Sequence, residues 1–129
     1  MKFLLDTCTA LWYFEGSDRI GSRLRDTLTD LQNELFLSDV SILEIVIKHQ
    51  LGKLSLERSP SQILLPLAEK HLMDILPLTS EAIFVMEKLP LLHRDPFDRL
   101  LIAQAQTHDL ILLTPDPLFR QYDVNMRWA

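Results

Sequence analysis

The sequence is poor in several residue types, and each shortage closes a door. One cysteine, Cys8, stands among 129 residues, so no intrachain disulfide can form and a reducing compartment is expected. The four histidines, His49, His71, His93 and His108, share no zinc-ligand spacing with each other or with Cys8. No Ser/His or Cys/His pairing announces a covalent nucleophile. No apolar run is long enough to span a bilayer, and Asp6 cuts short the first apolar stretch, Phe3-Leu4-Leu5. Neither a membrane span nor a secretory leader is therefore expected, and the protein reads as cytoplasmic. Basic residues are also in the minority, 13 against 18 acids for a net charge of −5. That balance argues against broad, sequence-independent binding to nucleic acid. There is no internal repeat, linker or low-complexity segment.

What is present is an apolar, globular chain. Its length suits one domain over residues 1–129, and 47% of the residues are hydrophobic. Mean hydropathy is +0.08. So small a domain cannot hide all of that surface, and a homodimer or a protein partner is expected.

Residues 2–6 read as a buried strand, and the helix after it, capped by Asp6 or Thr7, runs to about Phe14. Strand, turn and helix in so short a space open an α/β unit. Ser17 or Asp18 starts a solvated helix to about Leu31, followed by a strand at Leu35-Phe36-Leu37. Ser41 and Glu44 have the spacing of a capping box, and Gly52 closes that helix. Ser59-Pro60 starts another, which Pro66 should kink or divide. Ile75–Leu78 reads as a third strand, with a helix from Thr79 or Ser80 to about Lys88. Asp95 and Pro96 form an N-cap and a first helical residue for a largely apolar helix. Leu110–Leu113 is a strand covered on both faces, and Val124–Trp128 a further edge strand.

Four acids stand out against this frame. Asp6 and Asp116 each follow an apolar strand, while Glu44 and Asp98 each fall in the first turn of an apolar helix. Each has an ordinary reading, as a cap, a turn or a partner of a nearby cation such as Lys48. In a right-handed parallel arrangement, however, strand C-ends and helix N-ends share one sheet edge. Gathered there, four carboxylates would repel unless a divalent cation joined them, and all-oxygen ligands favour Mg²⁺ or Mn²⁺. Setting four of the 18 acids aside leaves 14 against 13 basic residues. Net charge is then a weak objection to a nucleic-acid substrate.

Several stretches together resemble the PIN-domain nucleases, and among them the VapC-type toxins of toxin–antitoxin pairs. They are Leu4-Leu5-Asp6-Thr7, Ser41-x-x-Glu44-Ile45, Lys48-His49-x-Leu51-Gly52-Lys53-Leu54, Asp95-Pro96-Phe97-Asp98-Arg99-Leu100-Leu101-Ile102-Ala103-Gln104-Ala105, and Leu113-Thr114-x-Asp116. The resemblance covers essentially the whole chain. It implies a three-layer α/β/α fold around a mostly parallel sheet of order 3-2-1-4-5. It also implies a Mg²⁺- or Mn²⁺-dependent endoribonuclease that leaves a 3′-hydroxyl and a 5′-phosphate. Asp6, Glu44, Asp98 and Asp116 carry over as metal ligands and catalytic residues, with Thr114 and Asp95 as capping or supporting groups behind them. Lys48, Lys53, Arg94 and Arg99 are expected to hold RNA phosphates, and a small antitoxin is the expected protein partner. Cys8 departs from the histidine that similar sequences often carry there.

Two rivals remain. A phosphatase with an aspartate nucleophile at the end of its first strand would need a second acid two residues on, where Cys8 stands. A PIN-like binding module without catalysis would be expected to have lost one of the acids, and none is missing.

Overall fold

The computed structural model describes residues 1–128. Five parallel strands form one sheet in the order β3-β2-β1-β4-β5. They are β1 (Lys2–Leu5), β2 (Glu34–Ser38), β3 (Met73–Leu76), β4 (Ile111–Leu113) and β5 (Met126–Arg127). The expected order holds, and the sheet is parallel at every pairing. Successive residues of β1 face opposite ways, and both faces are covered. Phe3 and Leu5 join a core with Ala10, Tyr13, Leu24 and Ala68, supplied by α1 (Thr7–Glu15), α2 (Ser22–Thr29) and α4 (Pro60–Lys70). Leu4 joins a second core with Leu101, Ile102 and Ala105 of α6 (Pro96–His108) and Val40 of α3 (Asp39–Gln50). Phe3, Leu4 and Leu5 are wholly buried, each stabilising the fold by roughly 1.5–3 kcal/mol. A last helix, α5 (Ser80–Lys88), packs on α6. Among the described residues, no helix is long and apolar enough to cross a membrane.

Local chemistry sets most boundaries. Asp6 caps α1 by accepting from Thr9 N at 2.9 Å, and Gly16 ends that helix in the left-handed region at φ 67°. Asp95 caps α6 by accepting from the amides of Phe97 and Asp98, with Pro96 in the first helical position.

Four expectations need correction. The helix placed from Ser17 begins only at Ser22, because Ser17 instead closes a turn, accepting from Ile20 N and Arg19 N. The helix carrying Glu44 starts at Asp39, because Ser38 takes the cap and accepts from Val40 N at 2.9 Å. No Ser41–Glu44 capping box exists, and Glu44 lies in the second turn. Pro66 does not divide α4, which runs unbroken from Pro60 to Lys70 and gives up only the hydrogen bond that proline cannot donate. The third strand lies two residues earlier than expected, ending before Pro77.

Pro77 has another use. Its carbonyl accepts from Gln104 Nε2 at 3.3 Å, and the fully buried Gln104 also accepts from Ser38 Oγ through Oε1. A single amide thus joins the end of β2, the middle of α6 and the segment leaving β3.

Candidate metal centre

The carboxyl edge of the sheet opens into a cleft of about 330 Å³, and Asp6, Glu44, Asp98 and Asp116 all line it. Asp6 is there because β1 ends at Leu5, and Asp116 because β4 ends at Leu113. Asp98 is the third residue of α6. Glu44 reaches the cleft from the second turn of α3, as that helix sets out from the same edge. Asp95 lines it too, as do Thr7, Cys8, Lys48 and Lys53.

The acids fall into two groups. Asp6 and Glu44 are buried and bonded by the protein itself. Thr114 Oγ1 donates to Asp6 Oδ2 at 2.6 Å, Thr9 N donates to Oδ1, and the Cys8 thiol lies 3.4 Å from Oδ1. Burial pushes the Asp6 carboxyl up from its ordinary value, and these hydrogen bonds pull against that shift. Thr114 also accepts from Asp116 N at 3.1 Å, so one hydroxyl touches both strand-end acids. Glu44 accepts from Thr7 Oγ1 at 2.7 Å and pairs with Lys48 Nζ at 2.7 Å. That pairing raises the Lys48 ammonium above its ordinary value.

Asp98 and Asp116 are half-buried and more sparsely held: Asp116 Oδ1 accepts from Leu118 N at 2.9 Å, and Asp98 Oδ2 lies 2.9 Å from His93 Nε2. Burial pushes Asp98 up to about 8, reinforced by the charges of Asp95, Glu44, Asp6 and Asp116. His93 stands beside them, a ligand-capable atom of each of His93, Asp98 and Asp116 lying within 4.8 Å of the others. Cys8 is pushed up to about 12 by burial and by the charge of Asp6, so its thiol stays protonated. The donor set suits a hard divalent cation: four carboxylates line one cleft, and the closest cluster of possible ligand atoms, from His93, Asp98 and Asp116, includes two of them.

The expected phosphate-binding residues divide. Lys53 is exposed and lines the cleft. Lys48 lines it as well, but its ammonium is already engaged by Glu44. Arg94 is exposed on the loop before α6 and does not line the cleft. Arg99 turns away altogether. Its Nη2 donates to Met86 O at 3.2 Å and Leu89 O at 3.3 Å, closing the carboxyl end of α5.

The sequence offers Thr7 only as a candidate helix cap and His93 only as an incidental loop histidine that could touch RNA. Thr7 lies 37 positions from Glu44, and no local pattern connects them. His93 sits two residues before the cap of α6, where a loop histidine carries no signal of its own.

An all-parallel sheet of this order, with acids gathered at its carboxyl edge, is a PIN-like α/β/α arrangement. The chain belongs to the PIN domain family, which matches residues 3–125. Solved structures share the fold at low sequence identity. One is VapBC2 from Rickettsia felis bound to a DNA fragment from its promoter, at 15% identity, covering 98% of each chain with a TM-score of 0.74. FitAcB from Neisseria gonorrhoeae is 20% identical over 98% of this chain and 96% of its own, with a TM-score of 0.66. A toxin–antitoxin complex from Klebsiella pneumoniae is 17% identical over 88% and 85%, with a TM-score of 0.57. No curated protein sequence matches this chain.

Proposed function

We propose that this protein is a metal-dependent endoribonuclease and the toxin of a toxin–antitoxin pair. The observation that carries the reading is that Asp6, Glu44, Asp98 and Asp116 line one cleft, with Asp98 pushed up to about 8 by burial and by the charges of neighbouring acids. Asp98 and Asp116, with Asp6 and Glu44 behind them, would hold Mg²⁺ or Mn²⁺. When bound, such a cation supplies Lewis-acid stabilisation of charge on the phosphoryl oxygens and makes the attacking water more acidic. The protein's share is positional. Thr114, Thr9 and Cys8 hold the Asp6 carboxylate, while Thr7 and Lys48 hold that of Glu44. Lys53 offers the cleft mouth a cation for backbone phosphate.

The toxin–antitoxin complex from Klebsiella pneumoniae, which shares this fold, supports an antitoxin partner. A groove of about 560 Å³ between α1 and α4 would receive it, lined by Phe14, Ile63 and Leu67 and adjoining the acid cleft through Leu11, which lines both. A partner helix seated there would bring a basic side chain to the acids. Phe84, Leu91 and Leu92 are exposed and apolar, which supports a homodimer. A cytoplasmic location suits a chain that carries one cysteine.

Cleavage of a fluorogenic RNA tests the reading. Activity is expected with Mg²⁺ or Mn²⁺, not with EDTA, and not in Asp6→Asn. Cleavage that survives both EDTA and the substitution overturns the mechanism. Binding of RNA without cleavage under any metal would make the protein a silent binding module.

A further inference from the structure

His93 stands beside Asp98 and Asp116, a ligand-capable atom of each lying within 4.8 Å of the others. Its Nε2 is 2.9 Å from Asp98 Oδ2. That nitrogen is buried and makes no hydrogen bond of good geometry, Oδ2 included; a contact of this length can align when a ligand closes the site. The other ring nitrogen decides which face of the imidazole carries the proton. Nδ1 accepts from Asp95 N at 3.4 Å, so in the neutral ring the hydrogen resides on Nε2, toward Asp98.

The ring is also held in place. It meets Phe119 edge to face with centroids 6.1 Å apart. Its own backbone N–H donates to Tyr122 Oη at 2.8 Å, and that hydroxyl donates to Pro90 O at 2.9 Å. A loop histidine with tautomer, ring plane and backbone all fixed by different neighbours is an oriented group.

We propose that His93 is the positioning residue for Asp98: its Nε2–H holds Oδ2 and leaves Oδ1 as the oxygen offered to the cation. The proposal rests on the metal-centre reading above. Carboxylates that ligate metals are themselves hydrogen-bonded, and removing such a partner weakens metal binding by roughly 10–100-fold. A histidine donating to Asp98 does not itself ligate, because its lone pair points at Asp95 N. The two roles therefore make opposite spectroscopic predictions.

The test measures Mn²⁺ binding to the full chain by the loss of the free-ion EPR signal, for wild type, His93→Ala and His93→Gln. Glutamine keeps an N–H donor at about the same reach but offers no nitrogen lone pair. His93→Ala is expected to bind Mn²⁺ roughly 10–100-fold more weakly, with His93→Gln within roughly threefold of wild type. Pulsed EPR of the wild-type Mn²⁺ complex should show no coupling to a directly bound ¹⁴N nucleus. In an Asp98→Asn background, His93→Ala should have no further effect, since the two act through one contact. Metal-free melting of each variant shows that a loss of affinity is not a loss of fold.

Equal Mn²⁺ affinity in His93→Ala and wild type overturns the proposal and leaves the metal centre standing. Strong ¹⁴N coupling overturns it too, by making His93 a ligand. A wild-type chain that takes up no Mn²⁺ at all removes the metal centre, and this proposal with it.

Discussion

The two halves of the cleft are built on opposite principles. Asp6 and Glu44 are buried acids whose oxygens the protein has already bonded, through Thr114, Thr9, Thr7 and Lys48. Asp98 and Asp116 are half-buried acids set among like charges, with Asp98 pushed up to about 8 as a result. One half is finished when the chain folds. The other is left in a state that a cation relieves. Each half pairs one acid that follows a strand with one carried on a helix, so what separates them is burial and bonding rather than the type of element.

Four experiments bear on that division, in falling order of effect. Asp98→Asn should lower RNA cleavage at saturating metal by roughly a hundredfold or more, because a ligand facing the reacting phosphate is worth several kcal/mol of the barrier. A variant as fast as wild type would make the supported half sufficient by itself. Next comes Thr7→Val, which leaves the buried Glu44 oxygen without its donor and should destabilise the fold by about 1–3 kcal/mol in a denaturant titration. An unchanged midpoint would mean that Lys48 alone satisfies Glu44.

The third effect has the opposite sign. In EDTA, Asp98→Asn should raise stability by on the order of 1 kcal/mol, since it removes a charge from a crowd of like charges. The pH dependence follows from the same cause. Folding raises the Asp98 pKa from 3.8 to about 8, so the folded state favours the protonated carboxyl. The stability this lends is complete below the unfolded value and is lost as pH rises through about 8. Metal-free wild type should therefore melt at falling temperature across that range, and Asp98→Asn should flatten much of the decline. A variant that melts lower than wild type at pH 8 would show that Asp98 is already satisfied. Least affected should be Arg99→Lys, which exchanges two carbonyl contacts for one cation at the end of α5. About 0.5 kcal/mol of stability should go, with RNA affinity unmoved. A marked loss of RNA binding would return Arg99 to the substrate.

Legibility in the sequence followed the range of each interaction. Asp95-Pro96 marked the start of α6 correctly because capping is settled within four residues. Strand-end acids were visible because strand, acid and helix are contiguous at Asp6. Glu44 was found for an imperfect reason: Ser41 has capping-box spacing, yet Ser38 lies nearer the strand end and takes the cap. Arg99 was misplaced because sequence gives a guanidinium's charge and not its direction. The contacts of Thr7 and His93 were not legible because their partners, Glu44 and Asp98, are supplied by the folding of a different segment or by the path of a loop.

The buried amide of Gln104 has a geometric consequence far from where it sits. Ser38, which it joins, is six positions before Glu44 on α3, and Gln104 is six positions after Asp98 on α6. The joint therefore works as a caliper, setting the separation of the two helices that carry these carboxylates. A change at this dry internal contact, such as Gln104→Leu, would reset the span between Glu44 and Asp98 without touching the cleft. In the proposed metal centre, the span open to a cation would then depend on the hydrophobic interior as well as on the acids.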